Sequence, residues 1–190
     1  MSASTEAFER HRWTVAEYRR MGETGTLAAD ARVELIDGEI IDMPPIGSAH
    51  AGIVVQLTRL LVQRVGEAAI VWVQNPVELS ERSEPEPDLV LLRPRDDFYK
   101  RALPRADDVL LAIEVADSTL AYDRGVKRAL YARHGVPEYW IVDVGGERVL
   151  TFGEPSDGDY ARRETVDDRG GVPIAALGDV TVDLSGLFAR

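Results

Sequence analysis

Two acidic residues stand where carboxylates are costly. Asp88 opens the apolar run LVLL, and Glu114 interrupts the nearly continuous apolar run VLLAIEVA. A carboxylate within buried apolar sequence is unfavourable unless it is paired, hydrogen-bonded or bound to a metal. If the two runs are consecutive antiparallel strands with Arg93 opposite Val109, Asp88 faces Glu114 on one side of the sheet. Carboxylates that close repel, and a divalent cation relieves the repulsion. Mg²⁺ suits such a pair, because it takes oxygen ligands from one or two carboxylates and keeps water on its remaining positions. The backbone carbonyl of Val115 would offer a third oxygen. Taken singly, each acid could instead cap a turn or sit at a solvated strand end, and a slip of one residue would separate the pair.

Lys127 belongs with these acids. The strand carrying Glu114 is followed by a segment with helical pattern that should fold back over the sheet. Glu114 lies roughly 7 Å before the strand end at about 3.3 Å per residue. Lys127 lies roughly 9 Å into the helix at about 1.5 Å per residue. The ammonium can therefore reach the level of the carboxylates. The plainer reading is an exposed Asp123–Lys127 pair at i,i+4, worth only about 0.3–0.5 kcal/mol. Usage favours the first reading: Lys100 and Lys127 are the only lysines, against twenty arginines. A lysine kept at this place suggests a compact point charge or a group able to lose its proton. Lys100 reads as a loop residue.

The elements that would position these residues can be followed along the chain. Thr14 caps a short helix through Met21, and GETGT ends it. ARVELIDGEIIDMPP predicts a β-hairpin turning at Asp37-Gly38, stopped by Pro44-Pro45. Ser48 is expected to cap a helix of about 19 residues whose apolar side chains, Ile53, Val54, Leu57, Leu60, Leu61 and Val65, form one buried face. AAIVWVQ is a strand, VELS a short one, and DLVLL another entered through Pro87. A charged loop over 94–108 leads to the central strand VLLAIEVA. Asp117 to Thr119 supply caps for a helix ending at His134 and stopped by Gly135. VPEYWIVDV, RVLTF, DYARRETV and DVTVDL complete the strands. The pattern is mixed α/β (α+β), with two helices beside one sheet.

Composition narrows the function classes. The chain has 190 residues, 45% hydrophobic, which fits one globular domain spanning 1–190. It has no cysteine, which excludes disulfides, thiolate zinc sites and thiol nucleophiles, and its three scattered histidines (His11, His50, His134) make a His-rich metal site an unfavoured reading. The N-terminus has no apolar signal region and no stretch approaches the ~18 residues of a membrane span, so a soluble, cytoplasmic protein without a membrane partner is expected. The formal net charge of −11 argues against nonspecific coating of nucleic acid.

From Glu34 to Asp143 the chain resembles the Uma-two type restriction endonuclease family of bacteria, within the PD-(D/E)XK nuclease superfamily. The residues that carry the resemblance are VELIDGEI, PPIGSAH, EPDLVLL, LAIEVADST, DRGVK followed by Tyr131, and GVPEYWIVDV, in that order. The resemblance implies a restriction-endonuclease-like mixed β-sheet flanked by helices. It implies that Asp88 takes the place of the PD aspartate and Glu114 that of the second acid. The E-x-K pattern would put lysine at position 116, where this chain has Ala116. Lys127, on the following helix, would stand in for it. Glu34 and His50 match family positions as lesser members of the site.

The expected function is a metal-dependent DNA endonuclease in which Asp88, Glu114 and the Val115 carbonyl hold Mg²⁺ or Mn²⁺. Lys127 would orient or help deprotonate the attacking water. On this reading Lys127→Ala abolishes cleavage and leaves folding nearly intact. DNA is the expected substrate, and double-strand cutting by a one-site subunit would want a homodimer. Three alternatives differ in kind: a catalytically silent nuclease-fold binding or regulatory protein, a two-carboxylate glycosidase needing neither lysine nor metal, and a plain structural domain. The helix from Thr119 to His134 carries Arg124, Lys127, Arg128 and Arg133 against Asp123 alone, and is the expected basic surface for DNA.

Overall fold

The computed structural model describes residues 9–167 and 170–189. Helix α1 (Val15–Glu23) opens with a complete capping box, in which Thr14 and Glu17 satisfy each other's backbone N–H groups. Strands β1 (Val33–Ile36) and β2 (Glu39–Asp42) pair as a separate hairpin. Its turn residues Asp37 and Gly38 both have positive φ, as a two-residue hairpin turn requires. Helix α2 (Ser48–Val65) follows. Its N-cap is Gly47, which makes no side-chain cap bond, so Ser48 is the first helical residue rather than the cap. The chain passes close to the Asp117 carboxylate here: a Cβ on Gly47 would lie 3.3 Å from Oδ2.

Strands β3 (Ile70–Val73), β4 (Leu89–Leu92), β5 (Val109–Ala116), β6 (Glu138–Asp143), β7 (Arg148–Ser156) and β8 (Asp159–Asp167) form one sheet in that spatial order. Neighbours are antiparallel except β5 and β6, which are parallel. Their crossover is helix α3, spanning 120–133, whose middle section Asp123–Lys127 is wound as a π-helix. α2 covers one face of the sheet, with Leu57 and Leu61 against Leu89, Leu111, Ile113 and Trp140. α3 lies over the other, with Leu130 and Tyr131 against Val90, Ala112, Tyr139 and Phe152. A last hairpin, β9 (Gly171–Pro173) and β10 (Thr181–Asp183), adds Val172, Ile174 and Val182 to the α2 side. β5 and β6 are buried along their whole length, as a central parallel pair covered on both faces must be.

Several expectations need correction. VELS forms no strand: Glu78 and Ser80 make only isolated bridges, because the returning limb contains Pro85 and Pro87, which have no N–H to give. Leu60 is only half-buried. The 94–108 segment is folded, not open: Tyr99 is buried and donates to the Arg93 carbonyl at 2.9 Å, and Arg95 pairs with Asp97. Leu92, not Arg93, faces Val109, because a bulge intervenes after Leu91.

Candidate active site

The register that matters is kept. Leu89 pairs with Ile113 and Val90 with Ala112. One step further along, Asp88 lies at the level of Glu114, and its Oδ2 accepts the Val115 backbone N–H at 2.9 Å. Val90 and Leu92 of β4 and Ala112 and Ala116 of β5 pack on the α3 side, and Asp88 and Glu114 share their parity, because side chains alternate across a strand. The sheet therefore presents both acids on the side from which Lys127 approaches.

Lys127 is buried, and its Nζ lies 2.8 Å from Glu34 Oε2 and 2.9 Å from Glu114 Oε1. Glu34 arrives on β1, so the hairpin closes the site from above the sheet. Tyr131, one helical turn after Lys127, donates its hydroxyl to Glu114 Oε1 at 2.9 Å. This arrangement replaces the exposed Asp123–Lys127 pair. Asp123 is itself buried and takes the Thr119 hydroxyl at 2.5 Å. His50, in the first turn of α2, places Nε2 3.0 Å from Asp88, and Gln74 Nε2 lies 3.3 Å from its Oδ1. A carboxylate can only accept, so His50 Nε2 carries the proton in this contact.

The charges of this cluster follow from burial. Desolvation pushes the Glu114 carboxyl up to about 8, against the pull of Lys127. Burial alone would lower the Lys127 ammonium, but Glu114 and Glu34 outweigh it and raise its pKa. The raised pKa favours the ammonium form of Lys127 and with it a donor's role. Burial also raises Asp123 to about 6. One ammonium between two carboxylates compensates one negative charge, and burial favours the protonated form of Glu114. Lys127 is also part of the buried fabric, so truncating it cannot leave folding nearly intact.

The sequence-predicted residues Glu34, His50, Asp88, Glu114, Val115 and Lys127 all line one cavity of about 440 Å³. Asp42, Glu86, Asp117 and Asp123 line it too, giving seven acids against Arg32, Lys127 and His50. Among the described residues, no three histidine or acidic side chains are grouped closely enough to cage a metal alone. Carboxylates, a main-chain carbonyl and room for water are the donor chemistry that a hard divalent ion keeping several waters would take. Gln74 and Tyr122 were not singled out by sequence reasoning, and Tyr131 was named only as part of the family resemblance, with no role. The i,i+4 spacing from Lys127 could have flagged Tyr131.

The expected basic helix surface does not form. Arg133 is paired with Asp37 at 2.7 Å and Arg128 with Asp159 at 3.2 Å, while Lys127 is buried. Arg124 remains as an exposed cation of that helix.

A mixed sheet between two helices, with an acid–lysine cavity beside the parallel pair, defines a restriction-endonuclease-like α+β fold. The crystal structure of a protein described as a putative nuclease belonging to DUF820, from Anabaena variabilis, matches it with a TM-score of 0.69 at 16% identity. The match covers 93% of this chain and 97% of that one. The chain belongs to the Uma2 family, described as putative restriction endonuclease, whose model matches residues 15–185. No curated protein matches the sequence. No helix among the described residues is long and apolar enough to cross a membrane.

Proposed function

We propose that the protein is a Mg²⁺- or Mn²⁺-dependent endodeoxyribonuclease that hydrolyses phosphodiester bonds through Asp88, Glu114 and Lys127. The observation that carries this reading is Lys127 fixed between Glu34 and Glu114 in the cavity that Asp88 also lines. Asp88, Glu114 and the Val115 main-chain carbonyl would hold the ion. When bound there, such an ion supplies activation of water and charge neutralisation at phosphorus. Lys127, kept protonated, donates to the charge that develops on the phosphoryl oxygens. Glu34 anchors Lys127, and His50 and Gln74 orient Asp88. The residues act as one nuclease-like unit in a soluble, cytoplasmic protein, and cutting both strands of a duplex would use a homodimer.

Incubation of plasmid and single-stranded DNA with Mn²⁺ tests this reading. Cleavage should require the metal, stop with EDTA, and vanish in Asp88→Asn. Cleavage that survives EDTA, or an Asp88→Asn variant cutting at the wild-type rate, overturns it. The acidic lining of the cavity favours a second reading, a nuclease-fold binding protein without catalysis, and intact DNA under all metal conditions selects that one.

A further inference from the structure

Two buried side-chain atoms at the cavity have no hydrogen-bond partner among the described residues, Tyr122 Oη and His50 Nδ1. A buried hydroxyl left unpaired costs about 1–3 kcal/mol, so one on a residue that lines a cavity points to a ligand that completes it. The other donors around the cavity are at least partly engaged: Lys127 by Glu34 and Glu114, Gln74 by Asp88, Arg32 by the Pro44 carbonyl at 2.6 Å, and Thr119 by Asp123.

Burial, with Glu34 nearby, raises the Tyr122 phenol, so it is a neutral O–H donor at any working pH. Among carboxylates a neutral donor has one advantage: it can serve an anionic oxygen and leave the charge of the site unchanged. Tyr122 closes the first turn of α3, immediately before the π-helical section that carries Lys127. The two side chains are therefore fixed by one rigid element. π-turns recur where a helix must aim side chains at a site.

We propose that Tyr122 is a substrate-binding residue whose Oη–H donates to a non-bridging phosphate oxygen of a nucleotide held in this cavity. This inference rests on the nuclease reading for the location of the phosphate, but not for turnover. A hydrogen bond between a neutral donor and a charged acceptor corresponds to a binding loss of about tenfold or more on removal.

The test is calorimetric binding of thymidine 3′,5′-bisphosphate, which has no internal phosphodiester to cut, in the presence of Mn²⁺. Wild type should bind it, and Tyr122→Phe should bind it about tenfold more weakly. The variant's affinity for Mn²⁺ alone and its melting temperature should not fall, since the lost hydroxyl has no partner among the described residues. Equal nucleotide affinity, no nucleotide binding by wild type, or a parallel loss of Mn²⁺ affinity would each overturn the proposal. Failure of the nuclease reading has another signature: DNA stays intact with Mn²⁺ while the nucleotide still distinguishes wild type from Tyr122→Phe.

Discussion

Replacing Lys127 by methionine keeps the length of the side chain and removes its charge. Glu34 and Glu114, at 2.8 and 2.9 Å from the ammonium, then share a buried space with no cation. Breaking a buried pair by removing one partner costs about 3–5 kcal/mol. For a chain of this size that lowers the melting temperature by roughly 2–4 °C per kcal/mol. The cost should depend on pH. Glu114 is already raised to about 8 by burial, and losing Lys127 removes the main influence that lowers it. A carboxyl whose folded-state pKa is raised contributes stability below its unfolded value, near 4.5, and loses it as pH rises. Wild-type Glu114 is itself protonated below about 8, so the variant's folded state holds more protons than wild type only as pH rises past that value. There each extra proton widens the stability gap by about 1.4 kcal/mol per pH unit. Urea unfolding of both proteins at pH 7 and pH 9 measures this. The deficit should be present at the lower pH and grow at the higher one. A deficit under about 0.5 kcal/mol at pH 9, or one that does not grow between the two, would refute the reasoning, since surface changes alone are that small.

Other outcomes follow from the same geometry. Asp88→Asn should weaken Mn²⁺ binding at least about tenfold in calorimetry, and unchanged affinity would remove Asp88 from the ion's ligands. Because burial raises the Glu114 carboxyl to about 8, Mn²⁺ binding at pH 7 should release protons. Titrations in phosphate and Tris buffers should differ in apparent enthalpy accordingly, and identical enthalpies would mean that Glu114 is ionised before the metal arrives. Tyr131→Phe, which deletes the hydroxyl on Glu114 Oε1, should cost about 1–2 kcal/mol in urea unfolding. A variant as stable as wild type would show that this bond contributes nothing.

Much of the site was legible because its residues contradict their surroundings. An acid in an apolar strand and a lysine in an arginine-rich chain are visible without a structure. The β4–β5 register was legible through Leu91 because two apolar runs on either side of one loop have few ways to pair. The bulge after Leu91 was not, since no residue type marks it. Glu34 was reached only through family resemblance. Its ion pair with Lys127 joins residues far apart in sequence, and nothing local to VELI announces it. The basic face of α3 was misread for the same reason. Asp37 and Asp159, which neutralise Arg133 and Arg128, lie on the β1–β2 turn and at the start of β8. Net charge counted along one helix cannot include partners that the fold delivers from elsewhere. Tyr122 and Gln74 stayed hidden because a tyrosine in a helix and a glutamine after a strand are ordinary, and only the cavity makes them notable.

On the nuclease reading, Asp88 and Glu114 hold a divalent ion beside Lys127. Crystals soaked in Mn²⁺ and measured at the manganese absorption edge address it directly. One anomalous peak should lie between the Asp88 and Glu114 carboxylates, within coordination distance of the Val115 carbonyl oxygen. An empty cavity at saturating Mn²⁺, or a peak only on other residues, would contradict it.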